Sequence, residues 1–189
     1  MKRTLSLVLA ALLVSLAGPA LAADYTIDAG HTSALFKVKH LDTAYFYGMF
    51  KDVKGTVSYD ASNPSAASID VTIAAESVDT RSANRDDHVK SPDFLNAKQF
   101  PTISFKSKSV KANGDGLAVT GDLTLHGVTQ EITVQAEVTG QGKHPRSGKD
   151  IIGFHAAFSV DRTAHDMEFM VGPLSSDIEF VLSIEAAGN

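Results

Sequence analysis

The chain has 189 residues and a formal net charge of −5, and it contains seven histidines but no cysteine and no tryptophan. The lack of cysteine excludes disulfides and thiolate chemistry. The acidic balance argues against nucleic acid and against anionic lipid surfaces as electrostatic partners. The length suits one domain, so a single hydrophobic core must supply the stability.

The first 22 residues have the layout of a secretory signal peptide. Lys2 and Arg3 precede an apolar run over residues 5–17, and the small-residue triplet Ala20-Leu21-Ala22 follows. The run is shorter than the ~20 apolar residues of a transmembrane helix, which disfavours an uncleaved anchor. We expect cleavage after Ala22 and a mature domain of residues 23–189. Its net charge is −7, because the signal removes two basic residues and no acidic ones.

Most of the remaining chain alternates apolar and polar residues, which is typical of half-buried β-strands. No long amphipathic helix is predicted to cover the apolar faces, so the sheet must pack on another sheet or close on itself. Several runs approach ten residues, about 33 Å of strand, and favour an all-β antiparallel barrel of about eight strands. The alternating segments are 24–28, 31–40, 50–60, 67–75, 102–110, 117–125, 132–138, 152–161 and 177–186.

The stretch from Arg85 to Phe105 interrupts this alternation. Ser91 before Pro92 predicts a helix N-cap followed by a proline at the first helical position. We therefore expect short helical turns at about 84–90 and 92–97. Phe100 precedes Pro101, which favours an extended conformation and returns the chain to the sheet. This short helical insertion is predicted to cover one end of the barrel.

An outer-membrane barrel would show a similar alternation, with apolar residues facing lipid and polar residues facing the lumen. Such barrels carry aromatic girdles at both membrane interfaces. This chain has no tryptophan and four tyrosines. The composition therefore disfavours the outer-membrane alternative.

Four polar residues are candidates for the barrel end, where a ligand's head group would lie: His31, His40, His88 and Arg162. We predict that they hold such a head group or, alternatively, only satisfy hydrogen bonds at the barrel end. No histidine has the spacing of a metal site, and neither a G-x-S-x-G elbow nor a phosphate-binding loop is present. The sequence therefore predicts no metal, no cofactor and no catalytic residue.

The apolar faces of the strands, together with the insertion, supply the candidate lumen. An eight-stranded barrel is either filled by side chains or just wide enough to enclose one small ligand. The alternation fits both, since a pocket differs from a core only in leaving some volume unfilled. The candidate lumen residues are Phe36, Val38, Phe50, Val71, Ile73, Phe94, Phe105, Leu123, Val134, Phe154, Phe158 and Phe180.

A series of short motifs runs through the mature chain. In order, the motifs are Asp28-x-x-His31-x-Ser33-x-x-Phe36, Lys39-His40-Leu41, Tyr47-Gly48-x-Phe50-Lys51-Asp52, Ser77-Val78-Asp79-Thr80, Arg85-Asp86-x-His88, Ser91-x-Asp93-Phe94-Leu95, Phe100-Pro101 and Gly121-Asp122-Leu123-Thr124-Leu125-x-Gly127-Val128-Thr129. Their order and spacing resemble the YceI family of bacterial periplasmic, polyisoprenoid-binding proteins. Residues 162–167 depart from the acidic-aromatic-glycine run of many relatives, and residues 172–177 resemble the enterobacterial subgroup.

The resemblance implies a lipocalin-like barrel in the periplasm, with no enzymatic activity. Its lumen would hold a long isoprenoid or other acyl chain, a quinone or a prenyl phosphate. We therefore expect a carrier or scavenger of a long apolar lipid, and leave open a transient membrane contact and a homodimer. Two alternatives remain: an enzyme that acts on such a lipid through the mouth histidines, and a filled barrel that serves as an interaction module.

Overall fold

The computed structural model describes residues 22–114 and 116–189, so the predicted signal peptide lies outside the described residues except for Ala22. The strands are β1 Ala23–Ile27, β2 Ser33–His40, β3 Ala44–Phe50, β4 Val53–Tyr59, β5 Ser68–Ala74, β6 Val78–Asp79, β7 Thr102–Asn113, β8 Gly116–Leu125, β9 Val128–Lys143, β10 Asp150–Asp161 and β11 Asp177–Gly188. One α-helix, α1, covers Ala83–Lys90, and short 3-10 helices cover Pro64–Ala66, Ala75–Ser77 and Arg162–His165. Within these described ranges, no helix is long and apolar enough to cross a membrane.

The sheet closes into a barrel because β1 pairs with both β4 and β11. From β1 the ring runs through β4, β5, β7, β8, β9 and β10 to β11, so eight antiparallel strands surround one interior. The predicted all-β antiparallel barrel of about eight strands with a short helical insertion is therefore confirmed.

Three walls of the barrel are each built from two successive strands. β11 pairs with β2 through residues 179–183 and with β1 through residues 186–188. β1 is therefore followed along one wall by β2. In the same way, β3 pairs with β2 and β6 at one level of the barrel, and β4 pairs with β1 and β5 at the other. The three walls are thus β1 with β2, β3 with β4, and β5 with β6. The loop of residues 28–32 between β1 and β2 consequently lies partway along a wall and not at the end of the barrel.

The strands turn their apolar side chains into the barrel. In β8, Leu117, Val119, Leu123 and Leu125 are buried, while the side chains between them are partly exposed. The interior is therefore apolar, whereas an outer-membrane barrel has a polar lumen and an apolar outer belt. This arrangement excludes the outer-membrane alternative.

Packed side chains block the barrel at the end formed by β1 and β4. The rings of Tyr59 and Phe154 meet edge to face with their centres 5.9 Å apart, a favourable aromatic geometry. Tyr25 and Ile152 are buried in the same cluster, at 6% and 1% exposure. Any internal space must therefore open toward the other end.

The insertion between β6 and β7 lies at that other end. α1 has no buried side chain, and a polar contact anchors it: the Thr80 amide and hydroxyl both donate to Asp86 Oδ1, at 2.7 and 2.6 Å. Beyond α1, Leu95 is buried in the main core. The insertion thus combines a polar anchor with an apolar plug.

The helical turn predicted at 84–90 is present as α1, but the one predicted at 92–97 is wrong. Ser91 is the C-cap of α1 and not the N-cap of a second helix, since its amide donates to the His88 carbonyl. Residues 92–95 form turns. Asn96 has a φ of 44°, a left-handed conformation that a right-handed helix cannot include.

β3 is a strand that the sequence pattern does not show. The pattern places Gly48 between two strands, whereas Gly48 lies inside β3 and pairs with Phe36 of β2. A Cβ at this position would overlap the Phe36 ring. The glycine therefore makes room for an aromatic side chain and does not break the strand.

Candidate ligand-binding site

An apolar cavity of about 390 Å³ opens beside α1; we call it the outer cavity. The Phe36 ring lies in its wall, 5.4 Å from the Phe50 ring and 6.5 Å from the Phe180 ring. Protein interiors contain few voids larger than a water molecule, so this space is not ordinary packing. Its volume lies in the ~300–1,000 Å³ range of ligand pockets.

A second apolar cavity of about 100 Å³, the inner cavity, lies deeper in the barrel. Ile103, Leu125 and Phe180 line both cavities and therefore form the partition between them. Phe158 stacks on Phe180 with ring centres 5.6 Å apart and an interplanar angle of 21°. The two cavities follow one another from the α1 end toward the packed end, with the side chains of Ile103, Leu125 and Phe180 between them.

The candidate lumen residues all lie at the walls of these two cavities. Their role in binding a ligand stays a prediction. Phe36, Val38, Phe50 and Phe94 line the outer cavity, Val71, Ile73, Phe105, Leu123, Val134, Phe154 and Phe158 line the inner cavity, and Phe180 lines both.

The mouth of the outer cavity is marked by side chains that line the cavity and also reach solvent. His40, Tyr45, Arg85, His88 and Met170 have both properties. They come from the end of β2, from β3, from α1 and from the segment before β11. The mouth thus brings together two of the three predicted mouth histidines, His40 and His88.

An aromatic cluster fixes α1 against the segment before β11. The His88 ring lies 5.0 Å from the Phe94 ring and 5.7 Å from the Phe169 ring, and Phe94 and Phe169 are 5.4 Å apart. The three pairs are edge to face, with interplanar angles of 71° to 88°. His88 Nε2 also lies 3.0 Å from Asp93 Oδ2. The imidazole of His88 is therefore oriented by three neighbours.

Exposed apolar side chains surround the mouth. Leu41, in the turn between β2 and β3, is 55% exposed, and its amide donates to the Pro173 carbonyl at 2.7 Å. Val171 and Tyr45 are each 50% exposed. We call Leu41, Tyr45, Phe169, Met170 and Val171 the apolar rim.

Arg162 lines the outer cavity, but its guanidinium is bound to the backbone. It is 2% exposed, and Nε donates to the Ser175 carbonyl at 2.9 Å. Nη1 donates to the carbonyls of Met167 and Phe169, and Nη2 contacts the Leu174 carbonyl at 3.5 Å. Burial lowers the pKa of the guanidinium. The structure therefore gives Arg162 a different role from the predicted head-group contact: it holds the 167–175 segment in place.

Two further histidines attach the 162–165 helix to the turn between β8 and β9. His126 Nδ1 donates to the His165 carbonyl, and His165 Nδ1 donates to the Val128 carbonyl, each at 3.0 Å. His165 is 1% exposed. These histidines support the wall of the mouth from outside the cavity.

His31 does not join the other predicted mouth residues, because the 28–32 loop lies partway along the barrel wall. Its Nδ1 lies 2.9 Å from Asp28 Oδ2 and 3.8 Å from Glu185 Oε1. The hydrogen bond to Asp28 raises the pKa of His31, and the same bond lowers the pKa of Asp28. The possible ligand atoms of Asp28, His31 and Glu185 lie within 4.8 Å of one another, close enough to hold a metal ion. The ion pairs of His31 with the two carboxylates account for this arrangement without a metal.

Arg85 is the mouth residue that the sequence interpretation missed. Its guanidinium centre lies 5.1 Å from the centre of the Phe46 ring, within cation–π distance. A signal was present in the motif Arg85-Asp86-x-His88, since residues three apart on a helix share a face. Arg85 therefore lies beside His88 at the mouth.

The fold and the site define a class: closed eight-stranded antiparallel barrels with an apolar internal cavity that opens at one end. Residues 25–186 match the family model described as the YceI-like domain. Protein YceI of Escherichia coli O17:K52:H18 is 43% identical over 186 residues, which cover 97% of this chain and 96% of that protein. Protein YceI of Salmonella newport is 42% identical with the same coverage. This chain belongs to the YceI family, and the predicted resemblance is confirmed.

Solved structures share the fold. The YCEI protein of Campylobacter jejuni is 33% identical with a TM-score of 0.71, covering 80% of this chain and 90% of that one. BcnA of Burkholderia cenocepacia matches with a TM-score of 0.76, covering 84% and 98%. A polyisoprenoid binding domain from Saccharophagus degradans matches with a TM-score of 0.68, covering 90% and 100%. BcnA and the polyisoprenoid binding domain are 22% and 15% identical and show the fold alone.

Proposed function

We propose that this protein is a periplasmic carrier that encloses the tail of a long-chain apolar lipid in its barrel. The observation that carries the proposal is the outer cavity of about 390 Å³, which three side chains separate from the inner cavity of about 100 Å³. A filled interaction module would leave no such space in a close-packed interior. The polyisoprenoid binding of the Saccharophagus degradans domain supports an isoprenoid tail in the cargo. A free isoprenoid, a quinone and a prenyl phosphate all meet this requirement.

Burial of the tail supplies the binding free energy in this proposal. Each buried CH₂ group gains about 0.8 kcal/mol. Association costs roughly 4–15 kcal/mol in lost freedom of motion. A tail of four CH₂ groups gains only about 3 kcal/mol and does not offset that cost, whereas a tail of about twenty gains about 16 kcal/mol and does. This favours long-chain lipids over small apolar molecules.

Because the chain lacks tryptophan, an introduced tryptophan is a unique reporter of where the tail lies. Phe158→Trp places the reporter in the inner cavity, and the matched variant Val181→Trp places one on the outer surface of β11, where Val181 is 37% exposed. The probe is stearate with a nitroxide at the end of its tail. We expect saturable quenching of the Phe158→Trp fluorescence and little quenching of Val181→Trp. Equal quenching of both reporters, or none, would contradict the proposal.

The enzyme alternative requires chemistry at the mouth. Replacing His40 and His88 together with glutamine separates the two functions, because a carrier keeps its cargo and an enzyme loses turnover. We expect the double variant to retain bound lipid after purification. Retained lipid, together with loss of a lipid-modifying activity that the parent protein shows, would favour the enzyme alternative.

Export to the periplasm and transfer at a membrane belong to the same proposal. Cell fractionation followed by N-terminal sequencing tests export, and a mature N-terminus at Ala23 is expected. The exposed side chains of the apolar rim support a transient contact with a membrane, since the rim borders the opening through which a lipid would pass. The homodimer stays a prediction.

A further inference from the structure

Two arginines, Arg85 and Arg162, line the outer cavity. The guanidinium of Arg162 is hydrogen-bonded to backbone carbonyls. The donors of Arg162 reach the carbonyls of the segment before β11, as described above. Turning this guanidinium toward a ligand would leave buried carbonyls without donors, which is costly. Arg162 is therefore a support of the cavity wall.

Arg85 is held differently. Its Nε donates to Thr80 Oγ1 at 2.8 Å and its Nη2 donates to the Thr80 carbonyl at 2.6 Å. Both bonds go to one buried residue, Thr80, and the Phe46 ring packs against the guanidinium. Within residues 22–114 and 116–189, no protein acceptor binds Nη1, and no carboxylate lies within 4 Å of the guanidinium. Arg85 is thus a fixed cation at the mouth with donor capacity to spare.

Two acidic residues close to Arg85 in the chain are engaged with other partners. Asp86 Oδ1 accepts two hydrogen bonds from Thr80, and Asp93 Oδ2 lies 3.0 Å from His88 Nε2. Neither carboxylate neutralises Arg85 by direct contact. A positive charge without an ion-pair partner therefore stands where the apolar space meets water.

We propose that Arg85 binds the anionic head group of the cargo, so that the preferred ligand is a long-chain lipid ending in a phosphate or carboxylate. This inference rests on the carrier function proposed above. Guanidinium donors form short, charge-assisted hydrogen bonds with both kinds of anion. With the tail in the lumen, the head group stays at the mouth beside solvent, and neither charge is buried alone.

The test compares ligands that share a tail and differ only in charge. Geranylgeranyl monophosphate is paired with geranylgeraniol, and palmitate with hexadecanol, each titrated into the full-length mature protein at neutral pH. We expect the anion of at least one pair to bind about tenfold or more tightly than its alcohol, a difference of about 1.4 kcal/mol. The pair with the larger ratio distinguishes a phosphate from a carboxylate head group.

Arg85→Gln should bring the ratio of anion to alcohol affinity close to one. Lys90→Gln makes the same change of charge on α1 outside the cavity lining and should leave the ratio unchanged. Equal binding of anion and alcohol to the parent protein, or an anion preference that survives Arg85→Gln, would overturn this inference and leave the carrier function standing. If no ligand of either pair binds to the folded protein, the carrier function fails as well.

Discussion

Arg162 is the residue on which the shape of the cavity mouth depends most directly. Removing its side chain leaves the carbonyls of Ser175, Met167 and Phe169 without their donors. We expect Arg162→Ala to lower the free energy of unfolding by at least about 2 kcal/mol in urea denaturation. The control is Arg146→Ala in the exposed loop between β9 and β10, with an expected change below about 0.5 kcal/mol. A similarly small change for Arg162→Ala would show that these hydrogen bonds do not stabilise the fold.

The pair of His31 and Asp28 makes stability depend on pH in a defined window. The lowered pKa of Asp28 gives a contribution that is present above about 3.9 and lost as pH falls through the lowered value. The raised pKa of His31 gives a contribution that is present below about 6.5 and lost as pH rises through the raised value. The pair therefore stabilises the fold most between about pH 4 and pH 6.5.

NMR titration of the His31 imidazole checks the cause of this shift. We expect a pKa above about 6.5 in the parent protein and a return toward that value in Asp28→Asn. Glu185→Gln is the matched control and should have the smaller effect, because Glu185 lies 3.8 Å from Nδ1 and Asp28 lies 2.9 Å from it. A larger effect of Glu185→Gln would show that Glu185, and not Asp28, is the main cause of the raised pKa of His31.

At the scale of single residues, the sequence does not reveal which side chains have spare donors. Arg162 and Arg85 both stand close to histidines in the chain, and only Arg162 was a predicted head-group residue. The carbonyls that bind Arg162 lie 5 to 13 residues away in a loop of irregular conformation. Hydrogen bonds of that kind depend on the folded backbone and leave no spacing rule in the sequence.

Among the secondary-structure elements, α1 is the one whose polar attachment to the barrel depends on one residue, Thr80. The helix buries no side chain, and besides the aromatic cluster around His88 it is attached through the bonds of Thr80 to Asp86 and Arg85. We expect Thr80→Val to increase amide hydrogen exchange in residues 83–90 by about tenfold or more, while the barrel strands stay protected. Thr120→Val, which removes a hydroxyl bond on the outer wall, should leave α1 unchanged. Unchanged exchange in Thr80→Val would mean that another contact anchors the helix.

Local patterns predict the strands well where alternation is strong. They fail where a contact with a distant part of the chain requires a particular residue. In β8 and β10 the alternating residues face inward as predicted, since a strand's two faces follow from its period of two. At Gly48 the same approach missed β3, because the glycine is required by the Phe36 ring across the sheet. Ser91 and Pro92 predicted a helical turn over residues 92–97 that the structure does not form, and Asn96 has a left-handed conformation there.

For the molecule as a whole, we expect the partition at Phe180 to set how long a tail the proposed carrier can hold. Phe180→Ala should join the outer and inner cavities and shift the best-bound member of an alcohol series, from dodecanol to eicosanol, toward longer chains. Phe180→Trp should shift it toward shorter chains. Val181→Ala on the outer surface of the same strand should leave the optimum unchanged. An identical optimum in all these proteins would show that Phe180 does not limit the tail.

Phe180→Ala is expected to cost about 3–5 kcal/mol of stability in the empty protein, because it enlarges a cavity. A bound lipid restores part of this loss by stabilising the folded state. Phe180→Leu removes less of the side chain and opens the partition less. It tests the same shift toward longer alcohols if the alanine variant does not fold.

The closed barrel was predictable from the sequence, whereas its hollow interior was not. A barrel filled by side chains and a barrel with a cavity show the same alternation, because volume depends on how the side chains meet across the interior. Phe105 and Phe154, for example, would occupy the same strand positions in either barrel. The volume becomes visible only in the assembled structure.

Native mass spectrometry of the protein, purified from its own cells without detergent and then extracted with solvent, tests the central claim most directly. The carrier function predicts an added mass that leaves with the solvent and fragments as a long-chain lipid, with isoprene repeats if the cargo is a polyisoprenoid. A bare polypeptide mass, together with no uptake of quinone, prenyl phosphate or long-chain alcohol, would contradict it.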